Sequence, residues 1–203
     1  GLITVLGSWV LRDACRQCAE WQTPGRPPAR VAVNVSSVQL ARPDFYDLVL
    51  RAIADASIDP GLLELELTES LLIRDPEAAI RVMRRLRELG VSLALDDFGT
   101  GYSSLSYLHR LPLDVLKIDR SFLQGASSSA ATQSLLRTII KLAHELGLSV
   151  VGEGVETLEQ FDLLARSNCD RVQGYLFSHP LPADAAFALA RGGKRIPVIG
   201  SRD

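Results

Sequence analysis

The sequence is poor in the residues that build disulfide frameworks and zinc centres. Cysteine occurs three times in 203 residues, at positions 15, 18 and 169, and an odd, sparse set speaks against disulfide pairing. Cys15 and Cys18 form a single CxxC with no second pair, inside a run with helical spacing, and read as two small helix residues. The three histidines, His109, His144 and His179, lack the spacing of zinc ligands, and His144 reads as a half-exposed residue of a helix. The net charge of −2 gives no general pull toward polymeric nucleic acid or an anionic membrane, so an anionic ligand would need a local device. No apolar run is long enough to span a bilayer. The opening stretch GLITVLGSWVLRDAC is apolar at helical spacing but lacks the basic flank and small-residue cleavage site of a signal peptide. These absences favour the cytoplasm. No GxGxxG follows the first strand-like run, which weakens a dinucleotide-binding reading.

What is present alternates. Apolar, β-branched runs of strand length occur at RVAVNVS, LLELELTES, VSLALDD, DVLKIDR, LSVVGEGV and RVQGYLF, and amphipathic segments separate most of them. Arg81–Leu89 places Val82, Leu86 and Leu89 on one side and arginines on the other. Leu135–Leu146 has a stronger apolar face, ETLEQFDLLARS offers Thr157 as an N-cap, and ADAAFALAR is the last helix candidate. Gly90 and Gly147 stand where helices should end. Strands alternating with helices imply βαβ units around a parallel sheet, and both a doubly wound sheet and a β/α barrel satisfy the pattern. GASSSAATQS, Gly125–Ser134, has the composition of a flexible segment. One domain over residues 1–191 is expected, with 192–203 as a loosely held tail.

Polar residues fall at corresponding places on these runs. Asn34 lies near the end of the first and Glu66 near the end of the second. Asp96 and Asp97 end the third, and Lys117 and Asp119 the fourth. Glu153 and Glu156 follow the fifth, and Gln173 sits within the sixth. A single carboxylate at a strand end is more often a helix cap. In a barrel, however, the C-terminal strand ends converge on one mouth, and all of these groups would meet there. Clustered carboxylates serve either as a proton-sharing pair, as in glycosidases, or as oxygen ligands of hard divalent cations. Acidic oxygens with an Asn carbonyl and no clustered histidine suit Mg²⁺ or Mn²⁺. Two such ions would also let an acidic pocket accept a phosphodiester.

The motifs VAVNVSS, LELELTES, LALDDFGTGYSSLSYLHRLPLDVLKIDRSF, VVGEGVETLEQ and QGYLFSHPLP closely resemble the EAL domain family, bacterial phosphodiesterases that hydrolyse cyclic di-GMP to linear pGpG. The resemblance runs from about Gly1 to Pro182. It implies a (β/α)8 TIM-like barrel and roles that can be carried over by position. Asn34, Glu66, Asp96, Asp97 and Glu153 match metal ligands, and Asp119 is similar to an acid close to the second metal. Lys117 matches the lysine near the attacking water and scissile phosphate, Glu153 doubles as candidate base, and Gln173 matches a glutamine of the catalytic pocket. Glu69 resembles the glutamate that anchors the DFGTGYSS loop, and Glu156 is similar to a supporting second acid. Phe177 and Pro180 are similar to residues beside a guanine. The region after the DDFGTGYSS loop contributes to dimerisation in the family, so a homodimer is expected.

The sequence starts within the helix that follows the family's Glu-Ala-Leu motif. That strand, the strand before it, the family's first metal-ligating glutamate and the following arginine have no counterpart among these residues. The expectation is therefore an N-terminally truncated barrel of about six βα units, with metal binding and catalysis weaker than in the parent protein. A non-catalytic cyclic di-GMP receptor and a protein-interaction module are the competing readings. Setting the family aside, a glycosidase is the runner-up, which Lys117 and the double aspartate fit less well.

Overall fold

The computed structural model describes residues 2–68, 75–99, 108–126 and 129–191. Six parallel strands form one sheet in the order β1-β2-β3-β4-β5-β6. They are β1 (Val31–Val35), β2 (Leu63–Thr68), β3 (Ser92–Phe98), β4 (Val115–Ile118), β5 (Ser149–Gly152) and β6 (Arg171–Val172). Sequential neighbours in a parallel sheet with helical crossovers make an open barrel wall rather than a doubly wound sheet, whose strand order reverses. The described residues form six consecutive strands of a (β/α)8-type wall. Among the described residues β1 and β6 each have one neighbour. No helix among them is long and apolar enough to cross a membrane.

The helices are α1 (Leu2–Trp21), α2 (Ser37–Leu40), α3 (Phe45–Ala56), α4 (Pro76–Leu89), α5 (Arg120–Ala126), α6 (Ala130–Glu145), α7 (Leu158–Arg166) and α8 (Ala183–Arg191). Alternation along each strand divides the sheet into two faces. Leu63, Leu65, Leu67, Leu93, Leu116 and Ile118 are almost fully buried in the main core, which also holds Ile80, Met83, Leu136 and Ile140 from the helices. Ala94, Val115 and Val151 form a separate small cluster, on the opposite, lumen face. Gly152 lets α7 approach this wall, since a Cβ there would lie 2.5 Å from Leu164 Cδ1.

Several local expectations shift. Helix α4 starts at Pro76, capped by the Asp75 side chain on the Ala78 N–H. It buries Ala79, Ile80, Met83 and Leu86, so Val82 and Leu89 flank the stripe. The flexible-looking 125–134 segment contains the first turn of α6, where Ser129 accepts from the Thr132 N–H. Thr157 caps α7 in a capping box with Gln160. Gly90 and Gly147 both take positive φ, 103° and 77°, the conformation that ends a helix at least cost. Cys15 and Cys18 are fully buried in α1. Burial pushes the Cys15 thiol up to about 11, as expected of an inert packing residue. Tail 192–203 lies outside the described residues.

Candidate functional site

Register explains why polar groups distant in sequence meet. Asn34 pairs with Glu66 and Glu66 with Ala94; Ala94 pairs with Val115, and Lys117 with Val151. Residues in one row of a parallel sheet share a face, as do i and i+2 on one strand. Asn34, Glu66, Asp96, Lys117 and Glu153 therefore all belong to the lumen face at the C-terminal end of the wall.

Lys117 is the centre. Its Nζ lies 2.7 Å from Glu66 Oε1, 2.8 Å from Glu153 Oε1 and 3.0 Å from Asp96 Oδ1, and its side chain is 4% exposed. Burial lowers the Lys117 pKa, but hydrogen bonds to Glu153 and Glu66 outweigh it and hold the ammonium above the usual lysine value. The carboxylates shift the other way from what a simple pair would show. Burial raises Glu66 and Glu153, and Lys117 only partly offsets it. One ammonium shared among three acids cannot neutralise all of them, so burial prevails at Glu66 and Glu153.

Asp96 and Asp97 are adjacent, and a regular strand would turn them to opposite faces. The β3–β4 register shifts between Leu95 and Phe98, and Asp97 takes a φ of 55°. This bulge re-aims the second carboxylate, a use to which irregular strands are often put. Asp96, Asp97 and Glu153 each offer an oxygen within 4.8 Å of the others. Asp96 Oδ1 is buried and accepts no hydrogen bond from the described residues despite its closeness to Lys117. Three carboxylates, one with an unsatisfied oxygen, and no sulfur or imidazole make a donor set that fits a hard divalent cation. Burial, then the charges of Asp96 and Asp119, raise the Asp97 pKa, which is the direction a cation would reverse.

Gln173 lies one residue beyond β6 rather than within it, and its Nε2 donates to Glu153 Oε1 at 2.5 Å. Backbone bonds from Val155 N to Gln173 O and from Leu176 N to Val155 O lock the two segments together. Gly174 permits this crossing, since a Cβ there would lie 2.2 Å from Val155 N.

The remaining expected residues lie apart from this centre or are otherwise engaged. Asp119 accepts from the Ser121 N–H at 2.9 Å and so caps α5. Burial raises its pKa, but bonds from Ser121 and Arg120 prevail and hold it low. Glu156 is exposed, and its N–H donates to Gln160 Oε1. Phe177 packs edge-on to Phe161 with ring centroids 6.2 Å apart, and Pro180 is exposed. Glu69 and loop residues 100–107 lie outside the described residues. Sequence reasoning passed over Gly154 and Gly174. The paired signals EGVE and QGY could have revealed them as close backbone approaches, Gly154 against Arg120 and Gly174 against Val155.

The EAL domain model matches residues 1–180. The cyclic di-GMP phosphodiesterase NbdA of Pseudomonas aeruginosa is 48% identical over 185 residues, covering 91% of this chain and 24% of NbdA. The PaMucR phosphodiesterase, solved as a c-di-GMP complex, superposes with a TM-score of 0.86 at 41% identity, over 92% of this chain and 75% of its own. Klebsiella pneumoniae BlrP1, solved with manganese and cyclic di-GMP, gives a TM-score of 0.78 at 29% identity, over 87% and 45% of the two chains. The chain spans about a quarter of the length of the curated relatives it matches.

Proposed function

The chain belongs to the EAL domain family, and from that premise we propose that it hydrolyses cyclic di-GMP to linear pGpG, in the cytoplasm, as part of bacterial second-messenger signalling. The observation that carries this reading is the Lys117 ammonium buried among Glu66, Asp96 and Glu153, with Asp97 turned toward them at the barrel mouth. Glycosidase chemistry needs two carboxylates and has no use for a lysine held charged between them.

In this reading Asn34, Glu66, Asp96, Asp97, Asp119 and Glu153 would hold two divalent ions, Mg²⁺ or Mn²⁺, which when bound would supply the positive charge that lets an acidic mouth receive a phosphodiester and would acidify water. Lys117 stabilises negative charge developing on the scissile phosphate. Glu153, held in place by Lys117 and Gln173, takes a proton from the attacking water. Gln173 fixes the Glu153 carboxylate through its amide. Water adds to phosphorus as the bond to the 3′ oxygen breaks, and that oxygen takes a proton from Glu153 or solvent to leave as the 3′-hydroxyl of pGpG, which keeps its 5′-phosphate. Glu156 and Glu69 support the neighbouring loops, and Phe177 and Pro180 lie beside a guanine. Two copies pair through the region after the DDFGTGYSS loop.

The test is to incubate the purified chain with cyclic di-GMP and Mn²⁺ or Mg²⁺ and to separate products by chromatography. Formation of pGpG that stops on adding EDTA is expected. Nucleotide binding without pGpG would replace this reading with that of a receptor, and absence of both would leave an interaction module. Sedimentation at several concentrations tests the dimer.

A further inference from the structure

We propose that Glu64 and Arg171 form a strut across the inside of the open barrel, below the mouth, that positions Gln173 and Glu66. The inference rests on the proposed role of the mouth as a catalytic site. Arg171 Nη2 lies 3.7 Å from Glu64 Oε2, and the Glu64 side chain is 12% exposed. The same guanidinium nitrogen donates to Ser149 Oγ at 3.4 Å, and Ser92 Oγ donates to Glu64 Oε2 at 3.1 Å. Four strands, β2, β3, β5 and β6, are thereby tied together by side chains on the lumen face.

The pair joins strands that share no backbone ladder, since β3, β4 and β5 stand between β2 and β6. Glu64 is two residues before Glu66 and Arg171 two before Gln173, so each member of the strut shares a face with a residue of the mouth. A cavity of about 220 Å³ runs between the two levels, lined by Glu64, Ser92 and Arg171 at one end and Glu66, Lys117 and Gln173 at the other. Strand β6 has only two residues, and its ladder to β5 consists of Val151↔Arg171 and Gly152↔Val172. Backbone bonds to Gly152 O and from Val155 N hold Gln173 on the β5 side, and the strut adds the tether across the lumen toward β2. A nearly buried Glu64 also demands a partner, since an unpaired carboxylate in that position is costly. Glu64 and Arg171 are positioning residues, acting on the site through the residues two places further along their strands.

A double-mutant cycle tests the strut. Glu64→Gln, Arg171→Gln, the double variant and Arg171→Lys are compared with the parent chain. The readouts are the side-chain amide resonance of Gln173 by NMR, the thermal midpoint, and kcat and KM for cyclic di-GMP. Each single substitution should move the Gln173 amide toward the shift of free glutamine and lower kcat about fivefold, with KM within about twofold. The double variant should be no worse than the more affected single one, and Arg171→Lys should recover part of the loss. An unmoved Gln173 resonance in Arg171→Gln, or losses that multiply in the double variant, would overturn the strut. If the parent chain releases no pGpG, the catalytic reading of the mouth fails, and the Gln173 resonance still decides the strut.

Discussion

Lys117 Nζ sits 2.8 Å from Glu153 Oε1, so the group proposed to meet phosphate and the group proposed to take a proton are paired with each other before substrate arrives. With Glu66 and Asp96 also around the ammonium, the site is a charge cluster whose balance depends on a single cation. Removing that cation leaves buried like charges, and breaking such an arrangement is far costlier than losing a surface ion pair.

Lys117→Met should therefore lower the stability of the EDTA-treated protein by about 3 kcal/mol, read as a shift in the urea midpoint. Mn²⁺ should restore much of this, because a divalent ion takes over the charge compensation. Hydrolysis should fall at least about a hundredfold and stay low with the metal restored, by analogy with the loss of one preorganised charge-stabilising donor. An EDTA midpoint equal to that of the parent would contradict the buried-cluster account.

Asp97 should separate charge from backbone. Asp97→Asn keeps a residue type that tolerates left-handed φ and should weaken Mn²⁺ binding in calorimetry at little cost in stability. Asp97→Ala should weaken binding similarly and cost a further 1 kcal/mol or so, since left-handed geometry is unfavourable for most side chains. Equal stability of the two variants would show that the bulge does not depend on residue 97.

Gly174→Ala places a Cβ against Val155 backbone at 2.2 Å, where nothing flexible can yield. The crossing of the two loops must open, and Gln173 should lose its bond to Glu153. The expected result is at least a tenfold fall in kcat/KM at a melting temperature lowered by several degrees. Full activity in this variant would remove Gln173 from the mechanism.

Asp170 makes one contribution to the pH dependence of stability. Its carboxylate faces His144 Nε2 at 2.9 Å and accepts from the Val150 N–H at 2.7 Å. Burial raises the Asp170 pKa, but these bonds prevail and hold it below the ordinary aspartate value. A carboxyl group with a depressed folded pKa contributes stability above its unfolded value of about 3.9, and loses it as pH falls through the folded value. Asp170→Asn should therefore be less stable than the parent at pH 6, and the difference should shrink below about pH 4. A difference that stays constant in thermal melts down to pH 3 would refute this linkage.

The six strands were legible because each is a short apolar run rich in β-branched or leucine residues, bounded by polar and turn residues. The metal-like cluster was legible because a barrel brings one end of every strand to one place. Helix α3 escaped notice, although Phe45, Val49, Ala52 and Ile53 are buried at helical spacing. Its start lacks a side-chain cap, and Ser57 ends it in left-handed geometry without the glycine that usually marks such a stop. Strand β6 was read as longer because Val172 and Gln173 sit before an aromatic run. That run packs instead through the Phe161–Phe177 contact. The Glu64–Arg171 relationship could not be read at all, since it depends on lumen curvature rather than on spacing.

The bulge at Asp97 has an evolutionary corollary. Because its twist belongs to the backbone and its charge to one terminal carboxylate, a single codon change from aspartate to asparagine removes the charge while keeping a residue type that tolerates the left-handed backbone at this position.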